Sequence, residues 1–201
     1  ILILFFTIFT RSYGREIIPF NDNWTFNFVV DANKNYADQT VNIPHTWNAN
    51  DVLLKTSYQR TSGVYRKSFF ADKKWQNKRI FIAFDGVNSV ADIFINKKYI
   101  SQHKGGYTRF VIELTDKLKC GEENLITVMA SNVYRLDVLP VSGDFNVFGG
   151  MHRPVSIIIT DKNCISPLDF GSSGVYISQE KINEKEALLG IKTMISTSTK
   201  Q

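Results

Sequence analysis

The sequence predicts an all-β fold: a sandwich, jelly roll or barrel. From Arg15 onward nearly every segment either alternates apolar and polar residues or runs apolar for a few positions, and each is bounded by turn residues. A sustained 3.6-residue period is hard to find. The hydrophobic fraction of 43%, with 15 Phe, 8 Tyr and 3 Trp, supplies a core that a disordered chain would lack. Short strands of this kind are stable when two inner sheet faces bury each other.

In chain order the strand candidates are "WTFNFVV" (24–30), "GVYRKSFF" (63–70), "KRIFIAF" (78–84), "SVADIFIN" (89–96), "YTRFVIEL" (107–114), "NLITVMAS" (124–131) and "VSIIIT" (155–160). Successive side chains of a strand point to opposite sides, so Ile80, Ile82 and Phe84 share a face. With Val128 and Ile157 they form the predicted core. "ADIFINKKYIS" reads as a hairpin turning at Asn96-Lys97, because Asn tolerates positive φ. "ADKKWQ" (71–76) and "LTDKLKCG" (114–121) read as connecting turns. Pro167, Gly171, Ser172, Ser173 and Gly174 mark a linker over 164–174. The strands "GVYIS" and "LLGIKTMIST" then open a second β domain over 175–201, which two strands alone would not stabilise.

The N-terminus "ILILFFTIFTRSYG" has an uncharged run, Ile1 to Phe9, followed by Ser12-Tyr13-Gly14. Nine residues cannot span a bilayer, which takes about 20 in a helix. The pattern predicts a signal peptide over 1–14, cleaved before Arg15, and a secreted or periplasmic protein. The formal charge is +5, but the basic residues are interleaved with acids in "DKK", "NKKY" and "DKLK". This reads as a solvated surface, and neither a nucleic acid nor a membrane is an expected partner. Cys120 and Cys164 have no CxxC partner, so no zinc site or disulfide framework is indicated. They read as free buried thiols, with a single bridge as the alternative in an oxidising compartment. His45, His103 and His152 are isolated, and no metal or cofactor is expected.

Four landmarks follow one another: "IPHTWN" (43–48), "GVYRKSFF" (63–70), "FDGVNSVADIFINKKYISQHKGGYTRFVIELT" (84–115) and "GDFNVFGGMHRPV" (143–155). Pro44 makes His45-Thr46-Trp47 the start of a rigid corner, with Trp47 in the core and His45 a hydrogen-bonded structural residue. Gly105-Gly106 and Gly149-Gly150 read as turns, and Arg153 as a partner for a carboxylate such as Asp144. Taken together, the landmarks resemble the N-terminal sugar-binding domain of family-2 glycoside hydrolases, the β-galactosidase, β-glucuronidase and β-mannosidase group.

The resemblance runs from Arg15 to about Thr160. It implies a galactose-binding-domain-like jelly roll over 15–163, with "ISPLDFGSSGVYIS" leading into an immunoglobulin-like second domain. It also implies an exo-acting hydrolase whose partners are a terminal β-linked sugar and the remaining domains of the enzyme. "DFNVFGG" and "SPLDF" sit closest to the β-galactosidase branch; β-glucuronidase, β-mannosidase and a free-standing carbohydrate-binding module are the alternatives. The family's catalytic carboxylates lie on a later (β/α)₈ barrel, which no part of this chain resembles. Glu113, Glu122 and Glu123 are therefore assigned no catalytic role. Asn132, near where family β-galactosidases place a sugar-contacting Asp, is the one expected substrate-binding residue. His152 stands where the family commonly has an aromatic.

Overall fold

The computed structural model describes residues 14–29, 37–54, 57–141, 143 and 145–197. The expected signal segment, Gly14 apart, lies outside the described residues. In chain order the first elements are β1 (Arg15–Pro19), β2 (Trp24–Phe28), β3 (Gln39–Val41), a single helical turn α1 (Asp51–Leu54), β4 (Ser62–Phe70) and β5 (Arg79–Phe84). There follow β6 (Val90–Ile95), β7 (Lys98–Lys104), β8 (Phe110–Glu113), β9 (Glu123–Ser131) and β10 (Val155–Thr160). Ten of these strands make two antiparallel sheets, a four-stranded one ordered β1-β10-β5-β8 and a six-stranded one ordered β3-β2-β4-β9-β6-β7. This is the expected jelly-roll sandwich.

Strand sequence decides which face is dry. In β9, alternate residues Asn124, Ile126, Val128 and Ala130 are buried, while the positions between them are half-covered. That is a strand with one face toward the core. β5 differs, since all six of its residues are buried. Its inward side chains Ile80, Ile82 and Phe84 pack with Val128 and Ile157 in the core, and each of the five is at most 1% exposed. Its outward side chains Phe81 and Ala83 pack with Ile158, Val111 and Cys164. Two-sided burial explains why "RIFIAF" and "VSIIIT" are continuous apolar runs.

The β6–β7 turn has the expected geometry. Asn96 and Lys97 adopt φ of 50° and 67°, the paired left-handed conformation of a two-residue hairpin whose twist matches its strands. The Asn96 carboxamide also accepts the Leu125 N–H at 3.0 Å, tying the turn to β9. Within "ADKKWQ" a 3₁₀ turn over Lys73–Trp75 is capped by Asp72, whose carboxylate accepts the Lys74 N–H at 2.9 Å. Two strands of the sandwich were not foreseen. β1 and β3 are short edge strands, too brief to show a period.

Beyond β10 lie β11 (Cys164–Ile165), β12 (Val175–Ile182), β13 (Ala187–Thr193) and β14 (Ile195–Ser196). β12 pairs with β13, and β11, inside the stretch read as linker, pairs with β14. Arg79 joins this part to the sandwich. Its guanidinium is 5% exposed and donates to both Glu113 oxygens at 2.8 and 2.7 Å, and to Ser196 Oγ at 2.8 Å. Thr115 Oγ1 donates to Glu113 Oε1 at 2.8 Å and accepts the Ile80 N–H at 3.1 Å. Both thiols are free.

The Arg79 hydrogen bonds, helped by Thr115, hold the Glu113 carboxyl below the usual carboxylate range despite its partial burial. A carboxylate whose pKa is lower folded than unfolded contributes stability above its unfolded value, and that contribution is lost as pH falls through the folded value. Glu113→Gln should therefore lower stability near neutral pH by about 1.5–3 kcal/mol, the range for hydrogen bonds to charged groups. The deficit against the parent should shrink in acid. Thermal melts of both proteins from pH 7 to pH 3 check it, and a constant deficit would assign the loss to packing.

Candidate functional site

The family landmarks converge on one end of the sandwich, where β5 and β9 finish and β4, β6, β8 and β10 begin. The corner at 43–48 lies antiparallel to the "FGGM" segment: the His45 N–H donates to Met151 O at 2.8 Å and the Trp47 N–H to Gly149 O at 3.3 Å. Trp47 is half-buried, stacks on Phe26 with ring centroids 5.9 Å apart, and covers Gly149 so closely that a Cβ there would sit 2.1 Å from its ring. Gly150, at φ 114°, leaves room for the Tyr65 hydroxyl, which a Cβ would approach to 2.3 Å. Both glycines are needed for contact, one by proximity and the other by conformation.

Two buried carboxamides clamp the loops. Asn132 is fully buried; its Oδ1 accepts the Thr61 N–H at 2.8 Å, and its Nδ2 donates to Gln59 O at 3.0 Å and Val147 O at 2.8 Å. Asn48 is equally buried, donating to Asn146 Oδ1 at 2.8 Å and Val147 O at 3.1 Å while accepting the Gly149 N–H at 2.8 Å. Asn88 bridges to Gly150 by its backbone, and its side chain fills the space where a Gly106 Cβ would stand. Trp47 Nε1 and Asn88 Nδ2 are buried without a hydrogen-bond partner among the described residues. Such atoms cost about 1–3 kcal/mol each.

The histidines here are held neutral. His45 Nδ1 lies 2.8 Å from the Tyr65 hydroxyl, and burial lowers its pKa. His103 stacks on Phe110 at 4.0 Å, its Nε2 within reach of Gly105 O and Thr108 Oγ1, and burial lowers it too. For His152 the causes are burial first and then the Arg153 charge. Burial also drives the Tyr65 hydroxyl far above its ordinary value. Among the described residues no group of three or more His, Cys, Asp or Glu could hold a metal.

The sequence profile described as "Glycosyl hydrolases family 2, sugar binding domain" matches residues 22–161. The chain belongs to glycosyl hydrolase family 2. A β-glucuronidase of Bacteroides fragilis is 44% identical over 198 residues, which cover 98% of this chain and 28% of that protein. A β-galactosidase of Thermoanaerobacterium thermosulfurigenes is 32% identical over 182 residues, covering 84% of this chain and 25% of that protein. Among solved structures, a Bacteroides fragilis protein under a provisional β-galactosidase name superposes with a TM-score of 0.85 at 37% identity, covering 94% of this chain and 29% of that one. A Bacteroides uniformis β-glucuronidase does so with 0.84 at 30% identity, covering 92% and 23%. The family-2 chain thus spans about a quarter of the length of the curated relatives it matches.

Within this family-2 domain Asn132 and Arg153 make the following contacts among the described residues. Asn132 was expected to contact sugar. Its carboxamide is turned inward and bonded to backbone groups of two loops, so that it acts as a clamp. Arg153 was expected to pair with a loop carboxylate. Asp144 lies outside the described residues, and the exposed guanidinium donates to Tyr107 O at 2.9 Å. Asn48, which closes "IPHTWN", was missed. Its only signal was its place beside Trp47.

Three outcomes follow for stability. Asn132→Ala should cost about 1–3 kcal/mol by orphaning buried backbone groups, whereas Arg153→Ala, losing one exposed hydrogen bond, should cost under about 1 kcal/mol. Gly149→Ala should cost about 1–3 kcal/mol by overpacking against Trp47. Denaturant midpoints of the three variants rank them. The three histidines have pKa values depressed in the fold, so their contribution is complete above an unfolded value of about 6.5 and is lost as pH falls through the folded values. Melting temperature should therefore decline from pH 7.5 to pH 5, and His45→Phe should flatten part of that decline.

Proposed function

We propose that this chain is the sugar-binding portion of an exo-acting β-glucuronidase that releases single sugars from a chain end. The observation that carries the reading is the 44% identity over 98% of the chain to a protein named β-glucuronidase, against 32% and 31% for two named β-galactosidases. A β-galactoside is the second reading, favoured by the 37% identity to the solved structure with that provisional name and by "DFNVFGG". The role assigned to the domain is to border and narrow the sugar pocket. Its landmark end supports this, because the clamped loops leave Leu136 and Leu139 on one segment and Leu53 and Leu54 on α1 exposed at 67–79%. Apolar side chains held out on braced loops suit a surface that other parts of an enzyme cover. The uncharged run Ile1 to Phe9 supports export to the periplasm or exterior.

Hydrolysis with retention takes two carboxyl groups about 5–5.5 Å apart, one free to act as acid. Glu113, bound by both oxygens to Arg79, is not free for that work. The 201-residue chain alone should release no nitrophenol from nitrophenyl β-glucuronide or β-galactoside. The full-length enzyme should cleave the glucuronide with the higher kcat/KM. A higher value for the galactoside would move the assignment to the second reading, and internal cleavage of a polysaccharide would contradict the pocket-bordering role.

A further inference from the structure

A groove of about 350 Å³ lies between β8 and the segment that leads toward β12, with His103, Thr108 and Arg109 on one side and Leu168 and Phe170 on the other. The volume is at the lower end of small-molecule sites, about 300–1,000 Å³. Phe170 is the unusual group. It is 93% exposed and adopts φ of 51°, a left-handed conformation that bulky side chains rarely take. The next residue shows how it is held: Gly171 presses so near β8 that a Cβ there would lie 2.8 Å from the Arg109 carbonyl oxygen. Phe170 is thereby carried beside Arg109.

Arg109 supplies the polar half. Its Nε faces Asp85 at 3.5 Å between half-exposed side chains, a weak pair. Apart from this pair with Asp85, the guanidinium makes no side-chain hydrogen bond among the described residues. The floor is rigid, because Phe110 is stacked between Phe84 at 4.9 Å and His103 at 4.0 Å.

We propose that this groove binds a uronate sugar, its pyranose ring lying on Phe170 and its carboxylate on the Arg109 fork. A pyranose offers an apolar C–H face for the ring and hydroxyls for Thr108, while a planar guanidinium matches a carboxylate through two parallel N–H donors. Phosphate would engage Arg109 but would leave the phenyl wall without a partner. A neutral sugar would leave the fork unused. The inference rests on the saccharide partner implied by the family and is independent of which β-glycoside the enzyme cleaves.

Amide NMR titrations of the full 201-residue chain with glucuronate, glucose and inorganic phosphate test it. Glucuronate should shift the amides of Arg109, Phe170 and Gly171 saturably at millimolar concentration, ahead of glucose and phosphate. Phe170→Ala should weaken glucuronate by about tenfold, the scale of one aromatic contact. Arg109→Gln should remove the preference for glucuronate over glucose, and Arg109→Lys should restore only part of it, since a point charge lacks the fork. Absence of saturable shifts at these amides, equal affinity for glucose or phosphate, or an undiminished preference in Arg109→Gln overturns the proposal. The hydrolysis test uses the full-length enzyme, so either reading can fail without the other.

Discussion

Burial of β5 on both faces is the constraint from which the remaining geometry follows. Its inner face meets the six-stranded sheet through Ile80, Ile82 and Phe84, and its outer face is covered through Phe81 and Ala83 by Cys164 and neighbours. Each fully buried side chain of this size contributes roughly 1.5–3 kcal/mol. A strand so covered cannot shift register without exposing one set and crowding the other. Its two ends are therefore fixed points, with Phe84 and Asp85 at the landmark end and Arg79 at the opposite one.

At the landmark end the fixed point is used to assemble loops far apart in sequence. Trp47 meets Gly149 and His45 meets Met151 across about a hundred residues, so neither "PHTW" nor "GGMHRPV" has meaning without the other. The clamps Asn48 and Asn132 both reach Val147 O, which gives that loop two independent anchors. Bracing of this kind lets apolar tips remain in water without collapsing inward. It is an arrangement that stability alone does not call for, since exposed Leu136 and Leu53 contribute nothing to the core.

The fold was legible because strand periodicity is local. Asn96-Lys97, Ile80, Ile82 and Phe84 could be read from a few neighbouring residues, and each is where the alternation puts it. The candidate site was legible only as a set of landmarks. Asn132 follows the last residue of β9, beyond the reach of the alternation rule, and its inward turn depends on backbone groups at Gln59, Thr61 and Val147. Among the described residues Arg153 donates to a backbone carbonyl, a kind of acceptor that residue types do not reveal. Phe170 looked like part of a linker because its environment is made by Gly171 touching a strand sixty residues earlier.

The joint to the second part of the chain follows from the same constraint. Cys164 covers the outer face of the four-stranded sheet, Arg79 reaches Ser196 from the start of β5, and Gly171 rests on β8. Several such contacts hold the two parts together more firmly than a single one, which would leave a hinge. The Arg79–Glu113 pair lies within the sandwich, so its bidentate geometry orients the guanidinium before Ser196 accepts its remaining donor. Through Cys164 and Ser196 the β11–β14 pair is in this way held against the four-stranded sheet. Phe170, carried on the connecting segment, comes to line the same groove as Arg109 as a consequence of how the two parts meet.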